Sequence, residues 1–259
     1  MNEQKLRAWW FARQGIGKSY PTASEALLSS GWARSVGGAN PYLTLFSRGG
    51  FLPRAAEKAV ASGEILESPS ARGCTYYIPR EHIGIALALA RKVHEPISSA
   101  ERALGITEAQ IDRLADLVLQ AMGDQAMAPE DMKPILGDAV RNFGEEGKKR
   151  GVTTDLPGAL MRLQVRGQIR RVAANDRLDT QKFRYVRWDQ ESNVVPHDSA
   201  LTQLASLYWD WIGPASLKNF QWFTSSSGKA AVAATADLDF VAVHEDLLIK
   251  RSHLEGFEA

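Results

Sequence analysis

The sequence predicts a mainly α-helical chain with small β-hairpins, an α+β protein assembled from tandem winged-helix units of the helix-turn-helix kind. Three observations point there. Helix-opening punctuation recurs at Pro21-Thr22-Ala23-Ser24-Glu25, Ala128-Pro129-Glu130-Asp131-Met132-Lys133 and Gly213-Pro214-Ala215-Ser216-Leu217-Lys218. Downstream, Gly63-Glu64-Ile65 and Gly167-Gln168-Ile169 stand at the same place in two copies of one plan. After each, a strand, a polar turn and an alternating strand follow. Helix, short helix, third helix and two-stranded hairpin is the winged-helix order. The expected units are 1–95 with a connecting helix, 96–195, and 196–259.

In the first unit, Leu6, Trp9 and Trp10 mark a helix, and Thr22 with Glu25 has the form of a capping box. Residues 55–62 read as a further helix, closed by Gly63, whose backbone freedom lets the chain turn into Glu64-Ile65-Leu66. Residues 68–73 make the turn, and Cys74-Thr75-Tyr76-Tyr77-Ile78 returns. Ile83, Leu87 and Ala90 mark the connecting helix.

The second unit opens on a capping box, Thr107 with Gln110, and places Ile111, Leu114, Val118 and Ala121 on one face. Pro129 suits the first turn of a short helix. Leu156, Leu160 and Leu163 stripe a third helix ending at Gly167. Residues 168–172 and 182–188 are the strands of its hairpin. In the third unit Leu201, Leu204, Tyr208 and Trp211 mark one helix, and helical character continues to about Ala236. Only one clear strand follows, over residues 239–243.

Hydrophobic residues make up 44% of the 259, enough for a sizeable core and too many for a disordered chain. No apolar run approaches the ~18 residues that span a bilayer, and residues 1–5 lack signal-peptide character. A single cysteine, Cys74, excludes an intrachain disulfide framework and a multi-cysteine zinc site. His82, His94, His197, His244 and His253 show no metal-ligand spacing, and no phosphate-binding glycine loop or nucleophile elbow occurs. Neither metal nor cofactor is expected, and the Gly37-Gly38 pair reads as a backbone turn. Trp9, Trp209, Trp211 and Trp222 sit at helical spacing and read as core, although tryptophans also offer stacking surfaces for an unpaired base.

The net charge of +1 conceals alternation. Residues 1–95 carry an excess of five positive charges, 96–147 six negative, 148–195 six positive, and 196–259 four negative. The densest stretch, 148–187, holds eleven Lys or Arg against three acids. Arg162 and Arg166 lie four apart on the third helix of unit two, expected to point away from its leucines. Arg170, Arg171, Arg177, Lys182, Arg184 and Arg187 line its hairpin. A groove-sized helix beside a basic wing suits double-stranded DNA, and phosphate contacts make such binding steeply salt-dependent. The bland alternative is a solvated basic face, and winged helices also dock proteins.

Pro41-Tyr42-Leu43-Thr44-Leu45-Phe46-Ser47-Arg48, followed by Arg72-Gly73-Cys74-Thr75-Tyr76-Tyr77-Ile78-Pro79, resembles the AlkZ/YcaQ-like family, bacterial DNA glycosylases built from tandem winged helices. Residues 208–223, with Gly213-Pro214-Ala215, look like that family's third winged helix. The resemblance runs from about Leu6 to Thr235. It implies hydrolysis of the N-glycosidic bond of alkylated or crosslinked bases, with a Gln-x-Gln or Gln-x-Asp motif shortly before the Pro-Tyr segment. Family members also continue into a further β-rich part.

Here the sequence departs from the family. By position the motif falls near Ser30-Gly31-Trp32 or Arg34-Ser35-Val36, yet no Asp, Glu or Gln occurs between Glu25 and Glu57. The expected cleft, formed by Ser30, Trp32, Arg34, Ser35, Asn40 and Tyr42, has no evident group to activate water or stabilise a sugar cation. Arg34 would oppose such a cation. The sequence therefore reads as a cytoplasmic, nucleoid-associated DNA-binding protein of repair or damage recognition, without robust glycosylase activity. An active glycosylase, and a transcriptional regulator or interaction scaffold, are the alternatives. Oligomeric state stays open.

Overall fold

The structure is a computed structural model that describes residues 3–35 and 38–259. Val36 and Gly37, which belong to the Arg34-Ser35-Val36 position and to the expected Gly37-Gly38 turn, lie outside the described residues. Helices dominate, and each of three small antiparallel sheets follows a group of them.

The first group comprises α1 (Glu3–Arg13), α2 (Ala23–Ser30), β1 (Ala33–Arg34), α3 (Asn40–Gly49), α4 (Pro53–Ala61), β2 (Ile65–Pro69) and β3 (Thr75–Pro79). Thr22 caps α2 by accepting the Glu25 N–H, so half of the expected box forms. Gly63 has φ +73°, the left-handed turn out of a helix anticipated there. The sheet is larger than the expected hairpin. Its order is β1-β3-β2, with Ala33 opposite Tyr77 and Glu67 opposite the same residue from the other side. A two-residue strand is too short to show alternation in sequence.

Next comes α5 (Ile83–His94). It was expected as a connector on three apolar positions, but Ile83, Ile85, Ala86, Leu87, Ala88, Leu89 and Ala90 are all buried. A helix apolar on every side belongs inside. It packs against the first sheet and against one helix from each later group.

The second group comprises α6 (Ser99–Ala103), α7 (Glu108–Met122), α8 (Pro129–Leu136), α9 (Gly144–Arg150), α10 (Leu156–Val165), β4 (Ile169–Ala173) and β5 (Phe183–Arg187). Thr107 and Gln110 form the full reciprocal capping box. Ile111, Leu114 and Val118 are buried with Met122, while Ala121 is half-buried. Leu156, Leu160 and Leu163 are each at most 2% exposed.

The third group comprises α11 (His197–Ile212), α12 (Leu217–Thr224), α13 (Gly228–Ala234), β6 (Phe240–His244), β7 (Leu247–Lys250) and α14 (Arg251–Glu258). The second strand missing from the sequence reading is β7. Leu247-Leu248-Ile249 is a continuous apolar run joined directly to a helix, so periodicity alone could not type it.

The largest hydrophobic cluster unites Trp32, Tyr76, Ile78 and α5 with Leu204, Trp209, Trp211 and Phe220 of the third group. A second cluster lies within the second group, between α7, α8 and α10. Helix α1 leaves its own group and packs Leu6, Trp9 and Trp10 against Ile249, Leu254 and Phe257. The Trp9 indole donates to the Gly213 carbonyl at 2.6 Å and the Trp10 indole to that of Pro214 at 3.0 Å. Among the described residues no helix is long and apolar enough to cross a membrane.

Candidate nucleic-acid interface and aromatic cleft

The basic residues of the second group divide sharply. Helix α10 is wedged between α7 and α5, so it has two buried faces instead of one. Arg162 therefore does not point to solvent as expected. Its side chain is 4% exposed and ion-paired with Glu108 and with Asp112, the latter at 3.0 Å. Arg166 is held by Glu95 at 2.9 Å and Asp112 at 3.0 Å. These two arginines fasten the helix to its neighbours.

On the hairpin, Arg177 pairs with Asp179 at 2.7 Å and Arg171 with Glu67. Arg170 is half-buried, and burial together with the nearby Arg80 holds its pKa below the usual guanidinium value. Lys182, Arg184 and Arg187 are exposed and have no ion-pair partner among the described residues. They are the free cations of the expected basic wing.

The expected cleft is split in two: around β1, Trp32 packs in the largest cluster while Ala33 and Tyr42 pack in the first group's own core. Ser35 joins a polar network between the first sheet and the second hairpin, donating its hydroxyl to Glu67. Glu67 also accepts from Arg171 Nη2 at 2.7 Å and Nε at 3.0 Å. Tyr42 donates to Glu57 at 2.6 Å and accepts the Leu178 N–H at 3.0 Å. Burial and the Glu57 carboxylate push the Tyr42 phenol up to about 12. Tyr77 donates to the Leu178 carbonyl, which draws the tip of the hairpin into the first group's core.

Ser30 and Trp32 go the other way, into a cleft of about 520 Å³ between the first and third groups. Arg34 is exposed and contacts Cys74 Sγ at 3.2 Å, while Asn40 donates to the Arg34 carbonyl at 3.1 Å. Neither Arg34 nor Asn40, nor Ser35 nor Tyr42, lines this cleft.

Its walls are aromatic. Trp32 and Trp211 meet with ring centroids 5.5 Å apart, and Tyr208 stacks on Phe223 at 5.3 Å. The Trp32 indole donates to Nδ1 of His82 at 3.2 Å, and burial keeps that imidazole below its usual pKa. Trp222 is not core, contrary to expectation. It is 68% exposed, with the Arg72 guanidinium 3.9 Å over its ring. Helix spacing placed it correctly on α12, but that face of α12 looks into the cleft and solvent, not into the core.

Among the described residues no Asp or Glu lines the cleft, and the one full charge there is Arg48. Arg48 donates to the Gly31 carbonyl at 2.6 Å and to Gln14 Oε1 at 3.2 Å, both neutral oxygens. Burial lowers its pKa from the usual value, opposed only by the Tyr20 phenol. Sequence reasoning missed both Glu67 and Arg48. An acid at the centre of the otherwise apolar and small Ile65-Leu66-Glu67-Ser68-Pro69 strand was the available signal for the first. Arg48 was visible as the end of the Pro-Tyr-Leu segment, yet nothing local tells that it lacks a counter-charge.

Among solved structures the chain is similar to the Streptomyces sahachiroi DNA glycosylase AlkZ, with a TM-score of 0.76 and 18% identity. The likeness covers 100% of this chain and 72% of that one, and at this identity it speaks for the fold. No curated protein sequence matches. The family described as DNA glycosylase AlkZ-like matches residues 33–255, from β1 into α14, and takes in the basic hairpin and the cleft residues from Arg48 onward, but not Trp10, Gln14, Ser30, Gly31 or Trp32. This chain belongs to the AlkZ-like DNA glycosylase family.

Proposed function

We propose that this chain is a double-stranded DNA-binding protein of DNA repair, acting in damage recognition without robust excision of alkylated bases. In this reading its three helix groups with hairpins are winged-helix units over 1–95, 96–195 and 196–259, and its setting is the nucleoid. Family membership supports the repair context. The exposed Lys182, Arg184 and Arg187 supply cations free to neutralise phosphates.

The observation that carries the weak-excision reading is the state of Glu67. It is a carboxylate in direct contact with the expected motif position, through Ser35, and both its oxygens are already engaged by Arg171. A carboxylate neutralised by a guanidinium stabilises a developing sugar cation poorly. Glu57 is likewise occupied by Tyr42.

The test is a binding titration against undamaged, alkylated and crosslinked duplexes, with base release measured on the same samples. The expected result is salt-sensitive binding with release absent, or slower than in motif-bearing relatives by a factor of about 10² to 10⁴. Robust release from alkylated duplex overturns the reading. The second reading, an active glycosylase, has one observation in its favour, the Ser35–Glu67 hydrogen bond, which places a carboxylate one hydroxyl away from the motif position. In that case Glu67→Gln abolishes the release.

A further inference from the structure

The cleft between the first and third groups has a chemistry that the proposed function does not use. Its walls are aromatic side chains, the largely buried Trp32, Trp211 and Tyr208 with the half-buried Phe223, and Trp222 is exposed at its edge. Its volume of about 520 Å³ lies within the ~300–1,000 Å³ of pockets that hold one small ligand. An aromatic wall alone would suit many apolar occupants. The polar groups narrow the choice.

Donors predominate among the free polar groups of the wall, and the Tyr208 hydroxyl can donate or accept. Gln14 spends its oxygen on Arg48, and Asn219 spends its oxygen on the N–H and hydroxyl of Ser216. Each amide therefore retains an NH₂ group without a partner among the described residues. Arg48 has five N–H donors, uses two contacts on neutral oxygens, and meets no carboxylate among the described residues. A half-buried guanidinium without a counter-charge favours an anion arriving there. Arg72, stacked on Trp222, adds a second cation beside the wall. A cationic ligand finds no carboxylate here among the described residues. A planar ring carrying acceptor atoms and joined to an anion finds all its partners.

We infer that this cleft receives one unpaired nucleotide of bound DNA, its base against the tryptophan walls and its phosphate against Arg48. Stacking accepts any base, because each has a π-face. The amide donors meet ring nitrogens and carbonyl oxygens, and a base already unpaired enters at least cost. The inference rests on the DNA-binding reading above, and it makes the cleft a sensor of local unpairing. The free cations of the hairpin grip the backbone of any duplex.

Two titrations test it on the full chain. The first compares a fully paired duplex with the same duplex carrying one bulged adenine, by fluorescence anisotropy. The second adds free deoxyadenosine 5′-monophosphate and follows tryptophan quenching, which needs no duplex contact. The bulged duplex is expected to bind about tenfold tighter or more. Trp222→Ala, at an exposed position, and Arg48→Gln each remove that preference and leave paired-duplex affinity unchanged. Lys182→Ala with Arg184→Ala and Arg187→Ala weakens both duplexes alike and spares nucleotide quenching. Equal binding of paired and bulged duplexes by the unmodified protein overturns the inference. So does a Trp222→Ala variant that keeps the full bulge preference. Absence of all duplex binding, with nucleotide quenching intact and lost in Trp222→Ala, removes the DNA reading and upholds the nucleotide cleft.

Discussion

Arg171 donates from Nε and Nη2 to the two carboxylate oxygens of Glu67, at 3.0 and 2.7 Å, and so ties β4 of the second group to β2 of the first. The Glu67 side chain is 6% exposed and the Arg171 side chain 24%. A fork-to-fork pair of this kind fixes direction as well as distance. Removing the arginine strands a buried carboxylate, so Arg171→Ala should lower the free energy of unfolding by about 3 kcal/mol. Urea titration measures it. Combining Arg171→Met with Glu67→Gln should recover much of the loss, because no charge is then left unpaired. A cost below about 1 kcal/mol for Arg171→Ala would show that the pair behaves as a solvated surface bridge.

Arg162 calls for a different experiment from the hairpin cations. Here the arginine is the buried partner, and its acids, Glu108 and Asp112, are 50% and 42% exposed. Replacing both acids with Ala leaves the guanidinium uncompensated and should cost about 3 kcal/mol. Arg162→Met, which removes the charge and keeps the bulk, should stay within about 1 kcal/mol of the unmodified chain. DNA affinity should be unmoved in the Met variant. Weakened duplex binding there would return Arg162 to the interface.

The hairpin carries the opposite expectation. Lys182→Ala, Arg184→Ala and Arg187→Ala together should leave the thermal midpoint unchanged, since none of the three has an ion-pair partner among the described residues. Their effect should fall on the salt dependence of duplex binding, with about one unit of log–log slope lost per phosphate contact. Measuring affinity at several salt concentrations decides it. An unchanged slope means that the hairpin does not touch the backbone.

Acid should weaken the fold through its histidines. Burial holds His82, His94 and His253 below the ordinary value of 6.5 in the folded chain, with Glu81 opposing the shift at His82. The unfolded chain takes up these protons as pH falls through 6.5, while the folded chain resists. Stability present above that value is therefore lost below it. The thermal midpoint should decline between about pH 7.5 and 5.5. His82→Gln, which retains an acceptor for the Trp32 indole, should flatten the decline. A midpoint that holds level or rises across the interval contradicts the assignment.

Much of the scaffold was legible because its signals are local. The Thr107–Gln110 box, the Leu156-Leu160-Leu163 stripe and the left-handed Gly63 each depend on a few neighbouring residues. What escaped depends on packing between distant segments. The stripe on α10 gave one buried face, and nothing nearby shows that Arg162 meets a second helix. β1 is a strand because β3 lies beside it. The site was harder to read for the same reason. The residues expected to share one cleft come from α2, β1 and α3 and pack in different clusters, and Glu67 and Arg48 take their meaning from partners, present or missing, elsewhere in the chain. Trp222 shows the limit of periodicity, which finds a face without telling what covers it.

The docking of α1 also sets an order of events during synthesis. Trp9 and Trp10 hold carbonyls 204 residues further on, and Trp10 with Gln14 forms one wall of the aromatic cleft. At about 5–20 residues per second, a ribosome makes that loop about ten seconds or more after it has made α1. The second hairpin emerges earlier and can already clasp β2 through Arg171 and Glu67. A nascent chain thus acquires its basic hairpin before its cleft, and α1 waits with Leu6 and both tryptophans uncovered until the segment from Gly213 to Phe257 arrives. That interval, in which α1 has no partner, is when the growing chain is most open to aggregation and to helper proteins that cover apolar surface.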